Sequence, residues 1–249
     1  SGQGGDARGA PPGGRRGAGA GLARRTGRVG LGLEQPWNDK NVQAVLRTAE
    51  SFGVQNIWTV RHPQGLRRVK RAVTGGGHDW LSLRSFEDTD ELLAALREVG
   101  CAIWATDLSP SAEPVVSAAD LQPVPERVAL VVGREVDGVS EALLAAADRR
   151  LYLPMQGFTE SFHLSVASAR LLQRLFDADP GLVGALDDEE RRQLRAAWYA
   201  RLGGTDERKR GRYLEYLDAP PAPLEDTRPS EEHRRPRFDK RAAWKREDR

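Results

Sequence analysis

Three short stretches gather the polar groups whose types and spacing could do chemistry. In WNDKNVQAVLRTAESFG, residues 37–53, Asn41 and Arg47 stand six apart on an apolar-periodic helix. That spacing puts them about 120° from each other round the helix axis, so they share no stripe, yet both can border a cleft at the helix start. In VVGREVDGVSEALL, residues 131–144, Glu135 follows two residues after Gly133, which ends an apolar run. In PMQGFTESFHLS, residues 154–165, Ser161, His163 and Ser165 crowd ahead of the apolar stretch ARLLQRLF. Amide, guanidinium, carboxylate, hydroxyl and imidazole are the groups that orient substrates and do acid–base or electrostatic work. Each has a plainer role too: Asn41 and Arg47 as solvated positions, and Glu135 and Asp137 as caps of the helix starting near Ser140.

The elements that must position these groups alternate. VGLGLEQ, VQNIWTV, CAIWAT, RVALVVG and RRLYLPM are short β-rich runs bounded by Gly, Pro or charge, as expected for strands covered on both faces. Helical spacing of 3, 4 and 7 lies between them, at Val42, Val45, Leu46, Ala49 and Phe52, at Leu92, Leu93, Leu96 and Val99, and at Leu143, Leu144 and Ala147. The pattern predicts an α/β domain with a largely parallel sheet and ligand loops beyond the carboxyl ends of its strands. TGGGHDW, residues 74–80, is a third glycine-bearing loop of that kind beside the two around Gly133 and Ser161. None of the loops carries GxGxxG or a Lys followed by Ser or Thr, which disfavours a nicotinamide enzyme and a Walker-type phosphate loop.

Charge divides unevenly along the 249 residues. Residues 1–30 hold six Arg and one Asp, and residues 228–249 hold nine Lys or Arg and five acids, so a net charge of +2 leaves −7 for the body. An acidic body with basic ends fits flexible arms that hold a polyanion, and it fits solvated tails equally well. The expected organisation is a disordered Gly/Arg-rich tail over 1–28, a globular domain over 29–178, a helical extension over 179–218 and a basic disordered tail over 219–249. Packing is the expected role of most aromatics in the extension, among them Trp198, Tyr199, Tyr213 and Tyr216. A single Cys101 within an apolar run excludes an intrachain disulfide framework and suits a reducing, cytoplasmic setting. An organelle is the alternative if the Arg-rich start belongs to a processed precursor. No apolar run is long enough to span a membrane, so no membrane partner is expected.

Taken in order, NxxxxxR after the first strand, VVGREVDGVSEALL and LYLPMQGFTESFHLSVASARLL resemble the three motifs of the SpoU branch of the SPOUT superfamily. The resemblance covers roughly residues 29–178 and is closest to TrmH-type RNA ribose 2′-O-methyltransferases. TGGGHDWL is similar to the family's Gly-rich segment, and the C-terminal helices resemble those of its tRNA-modifying members. It implies helices on both faces of a parallel sheet whose C-terminal part forms a deep trefoil knot. It implies S-adenosyl-L-methionine as cofactor, held by Gly133, Leu153, Met155 and Leu164, with Thr106 a further candidate. It also implies a homodimer, with Met155 to Leu172 and the first helix near the contact, and RNA as substrate, a D-loop guanosine of tRNA first and ribosomal RNA second.

By the same resemblance Arg47 is the catalytic residue, and Asn41, Glu135 and Ser161 organise the site. A guanidinium pKa above about 12 makes Arg47 a poor base, which favours its pinning a phosphate and stabilising the ribose oxygen while phosphate or water takes the proton. A reading with Arg47 itself as base stays open. His163 departs from the family, because it stands where Asn is usual. Imidazole can replace one amide hydrogen bond, which preserves activity; the other outcome is a catalytically weak RNA-binding relative.

Overall fold

The computed structural model describes residues 14–36, 38–61, 76–134 and 137–226. Seven strands form one sheet: β1 (Thr26–Glu34), β2 (Val54–Val60), β3 (Ser82–Phe86), β4 (Ala102–Thr106), β5 (Glu113–Pro114), β6 (Val128–Val132) and β7 (Arg149–Tyr152). Their order is β3-β2-β1-β6-β4-β7-β5, and every pairing between them is parallel. The helices are α1 (Arg15–Leu22), α2 (Asp39–Ser51), α3 (Thr89–Glu98), α4 (Glu141–Ala146), α5 (Leu164–Ala178), α6 (Asp188–Gly203) and α7 (Glu207–Leu214).

The runs that read as strands become the centre of the sheet because both their faces are buried. All five residues of β6 are buried, and Leu31 and Leu33 of β1 are fully so. One apolar layer joins these strands to Val42, Val45 and Leu46 of α2 and to Leu171, Leu172 and Leu175 of α5. On the other face Leu92 and Leu96 of α3 and Leu143 and Leu144 of α4 pack against Trp58, Ile103 and Val131. Gly30 has a steric reason inside a strand, since a Cβ there would lie 2.0 Å from the Trp58 ring. Leu33 pairs with Val132, so Glu34 and Gly133 leave the sheet side by side.

Two strands escaped the sequence pattern. β3 is an edge strand with Leu83, Arg84 and Ser85 exposed, so no apolar alternation marks it. β5 is two residues long and contains Pro114, which edge positions tolerate.

Of the tail expected over residues 1–28, the part from Arg15 onward is ordered. α1 occupies 15–22, and β1 begins at Thr26, three residues before the expected run. Its Gly- and Ala-rich composition, which reads as unable to bury apolar surface, instead permits close packing. Ala18 and Leu22 are buried with Leu186, Trp198 and Tyr199, and Gly21 lies against the Trp198 ring. Buried Arg25 fastens the junction: Nη1 donates to the Val54 carbonyl at 3.1 Å and Nη2 to Glu50 Oε1 at 2.9 Å, under the Trp198 ring. Burial pulls the Arg25 guanidinium below its usual pKa, against the opposing pull of Glu50.

The start of the tail expected over 219–249 also holds to α1. Leu224 N–H donates to the Arg16 carbonyl at 3.2 Å and Arg16 Nε to the Ala222 carbonyl at 3.1 Å. Residues 1–13 and 227–249 lie outside the described residues. Leu22→Ala is expected to cost about 2–4 kcal/mol in chemical denaturation, as a buried core leucine does, whereas a residue in a solvated tail would leave the midpoint unmoved.

Candidate functional site

A cavity of about 380 Å³ opens at the carboxyl ends of the adjacent strands β6, β4 and β7. Val132, Leu151, Leu153 and Leu164 give it apolar walls, and Asp107, Ser109 and Glu160 give it acidic and polar ones. All five residues expected to hold a cofactor, Thr106, Gly133, Leu153, Met155 and Leu164, line this one space, and Ser161 joins them. They arrive from three strand ends and the start of α5, up to 58 residues apart in sequence.

Gly133 cannot carry a side chain. A Cβ would stand 2.0 Å from the Gly138 carbonyl carbon and 2.2 Å from the Val139 nitrogen, because the chain folds back on itself directly after β6. That turn is closed by reciprocal bonds, Arg134 N–H to the Gly138 carbonyl at 2.8 Å and Gly138 N–H to the Arg134 carbonyl at 3.1 Å. Gly138 adopts φ 71°, which glycine tolerates. An ion pair from Arg134 to Asp137 at 2.8 Å braces the turn. Glu135, expected to organise the site, lies outside the described residues.

His163 caps α5. Its Nδ1 accepts from the Ser165 N–H at 3.3 Å and lies 2.9 Å from Ser165 Oγ, while its Nε2 lies 3.0 Å from Asn41 Oδ1. An amide N–H only donates, so Nδ1 is bare; the ring therefore carries its proton on Nε2 and donates it to Asn41. The imidazole thus does the joining work of an amide, one acceptor and one donor on opposite edges. It links the first turn of α2 to the start of α5, which lines the cavity through Leu164; neither Asn41 nor His163 lines it.

Arg47 stands exposed on α2, also outside the cavity lining. Its carbonyl accepts from Ser51 Oγ at 2.9 Å, and among the described residues its guanidinium makes no ion pair. The TGGGHDW stretch, expected as a ligand loop, does not line the cavity where it is described. Its Trp80 is buried edge-on against Trp198, 5.3 Å between ring centroids, so this segment docks α6.

Sequence reasoning stopped at Thr106 and missed Asp107 and Ser109, which follow β4 and line the cavity. Burial works to raise the Asp107 carboxyl, but the Ser109 hydroxyl and amide and Arg150 at 4.0 Å outweigh it and hold it below the usual carboxylate range. The signal for it was the Asp-x-Ser pair directly after a strand, a local turn motif.

An open parallel sheet with a mixed apolar and acidic cavity at its carboxyl edge defines the α/β class of protein, in which strand-end cavities of this kind are the usual place for a ligand. The model of the SpoU rRNA Methylase family matches residues 28–173, and the chain belongs to that family. It is 30% identical over 151 residues to a tRNA (guanosine(18)-2'-O)-methyltransferase of Escherichia coli, a match covering 61% of this chain and 64% of that protein. It is 34% identical over 151 residues to the enzyme of the same name from Thermus thermophilus, covering 61% and 75%. The crystal structure of the A. aeolicus TrmH/SpoU tRNA modifying enzyme shares the fold with a TM-score of 0.67 at 23% identity, over 75% of this chain and 95% of that one. The chain thus spans less than two thirds of the E. coli relative's length.

Gly133→Ala is expected to force the turn open, with a loss of about 1–3 kcal/mol in stability and faster hydrogen exchange at the Arg134 and Gly138 amides. Wild-type exchange at both would refute the close approach.

Proposed function

We propose that this protein methylates a ribose 2′-hydroxyl of tRNA, a guanosine of the D-loop first, with S-adenosyl-L-methionine as donor. The observation that carries the reading is the meeting of Thr106, Gly133, Leu153, Met155 and Leu164 at one cavity. The motif resemblance gives these same positions to the methyl donor. The cavity's chemistry suits that molecule. Bare backbone at Gly133 admits close approach, leucines offer apolar contact, and the ionised Asp107 provides negative charge for a cation. When bound, the donor supplies a methyl carbon already activated by its sulfonium.

The chain's own residues then have to position and stabilise. Arg47, exposed and without an ion pair among the described residues, is suited to pin an RNA phosphate and to stabilise the ribose oxygen as its proton departs to phosphate or water. Asn41, fixed by His163, and Ser161 at the cavity wall orient the groups between. The His163 bond to Asn41 supports an active enzyme over a silent relative, since the substituted ring keeps an orienting link between α2 and α5. RNA also finds cations on α7, where Arg208, Lys209, Arg210 and Arg212 are exposed. The relatives named for tRNA favour it over ribosomal RNA.

The reading includes a homodimer and a threaded C-terminal crossing. Arg47 lies off the cavity of its own chain, while Phe158 and Val166, beside the cavity, are exposed apolar side chains that a second copy would cover. β7 lies inside the sheet between β4 and β5, and the chain leaving it lines the cavity before entering α5, as a knot of this family requires.

The test is transfer of labelled methyl from S-adenosylmethionine to separate tRNA and rRNA pools, followed by nucleoside analysis. 2′-O-methylguanosine in tRNA is expected; label confined to rRNA moves the substrate, and none in either pool overturns the activity. Arg47→Ala is expected to lower turnover by on the order of 100-fold or more while sparing donor binding. His163→Asn, which restores an amide, is expected to stay within a few-fold of the wild type, by the same one-bond exchange.

A further inference from the structure

Among the described residues, Glu34 is the one acidic residue in the buried polar set, 2% exposed at the end of β1. Among the described residues no Lys, Arg or His pairs with it; its contacts are all hydrogen-bond donors. Oε1 accepts from Thr89 Oγ1 at 2.5 Å and from Ser140 Oγ at 2.6 Å, and Oε2 accepts from the Ser140 N–H at 2.7 Å. A carboxylate taken out of water without a cation is costly, and short charge-assisted bonds are what make it tolerable. Thr89 is the first residue of α3, whose N-terminus adds favourable field.

Two of the three bonds go to Ser140, and Ser140 is the far anchor of the turn that begins at Gly133. Val139 and Glu141, its neighbours on either side, both line the cavity, as do Gly133, Arg134 and Gly138. The near end of the turn is fixed by the sheet, because Leu33 pairs with Val132 and Glu34 follows beside Gly133. β1 therefore holds the turn twice, once through the ladder and once through the Glu34 carboxylate. Glu34 does not line the cavity.

We propose that Glu34 is a positioning residue for the cofactor pocket: through Ser140 it holds the Gly133–Gly138 turn in the shape that the cavity wall requires. The link to cofactor affinity rests on the reading of the cavity given above. Thr89 shares the carboxylate but lies on the α3 side, off the cavity wall, so it separates a positioning role from mere stability.

The experiment uses the full chain and two readouts, amide hydrogen exchange at Arg134 and Gly138 and calorimetric binding of S-adenosylhomocysteine. Glu34→Ala is expected to speed exchange at both amides and to weaken binding by on the order of tenfold, the effect of leaving a buried N–H unsatisfied. Glu34→Gln is expected to rescue both, since its amide can donate to the Thr89 and Ser140 hydroxyls while its oxygen accepts the Ser140 N–H. Thr89→Ala is expected to lower Tm and leave both readouts near wild type. Wild-type exchange in Glu34→Ala, or equal effects of Thr89→Ala and Glu34→Ala, would overturn the proposal. Where Glu34→Ala fails to fold, Ser140→Ala takes its place, and equal exchange in it and Thr89→Ala overturns the idea. Failure of the wild-type chain to bind S-adenosylhomocysteine would sink the reading of the cavity, while the exchange comparison would still decide the role of Glu34.

Discussion

Backbone folding onto backbone directly after β6 is the constraint on which the site depends. No side chain fits between Gly133 and the Gly138–Val139 peptide, so the strand can turn back within its own width and leave peptide groups facing the cavity. The floor of that cavity is the ends of three neighbouring strands, and their order in the sheet, β6-β4-β7, differs from their order in the chain. Segments around residues 106, 133 and 153 become one wall for that reason. Bare backbone at Gly133 and apolar side chains such as Leu153 and Leu164 form part of that wall, and no nucleotide-loop signature contributes to it.

At both ends of β1 the protein uses buried charged groups as fasteners between elements. Arg25 ties the start of β1 to β2 and α2, and Glu34 ties its end to α3 and the Ser140 loop. Both are desolvated charges whose hydrogen bonds offset the burial, and each bonds groups from at least two elements. A hydrophobic replacement could fill the same volume, but it would not fix direction. At these places direction matters because β1 is the strand against which both the second core face and the cavity wall are registered.

α1 and the helices after α5 form a third packing layer beside the sheet. Tyr199 and Trp198 bury α1 from one side, and residues 222–225 cross it from the other. Arg15 sits over the Tyr216 ring at 3.9 Å and donates to the Arg212 carbonyl, joining the beginning of α1 to α7. Arg15 at the start of α1 is thereby brought beside the basic α7.

Local patterns in the sequence determined the central strands, the core faces of α2, α3 and α4 and the loops around Gly133 and Ser161, because each is written in residues within one or two turns of one another. Motif order names five residues that share one cavity. What the tertiary structure decided was everything that depends on distant neighbours. α1 is a helix because Trp198 and Tyr199 wait for its glycines and alanines, and β3 is a strand because β2 offers it a ladder. His163 finds its Asn41 partner 122 residues away, and Glu34 finds its Ser140 donor 106 residues on. Hydrogen bonds and close packing depend on which surfaces meet, and a one-dimensional pattern carries no information about that until the chain has folded.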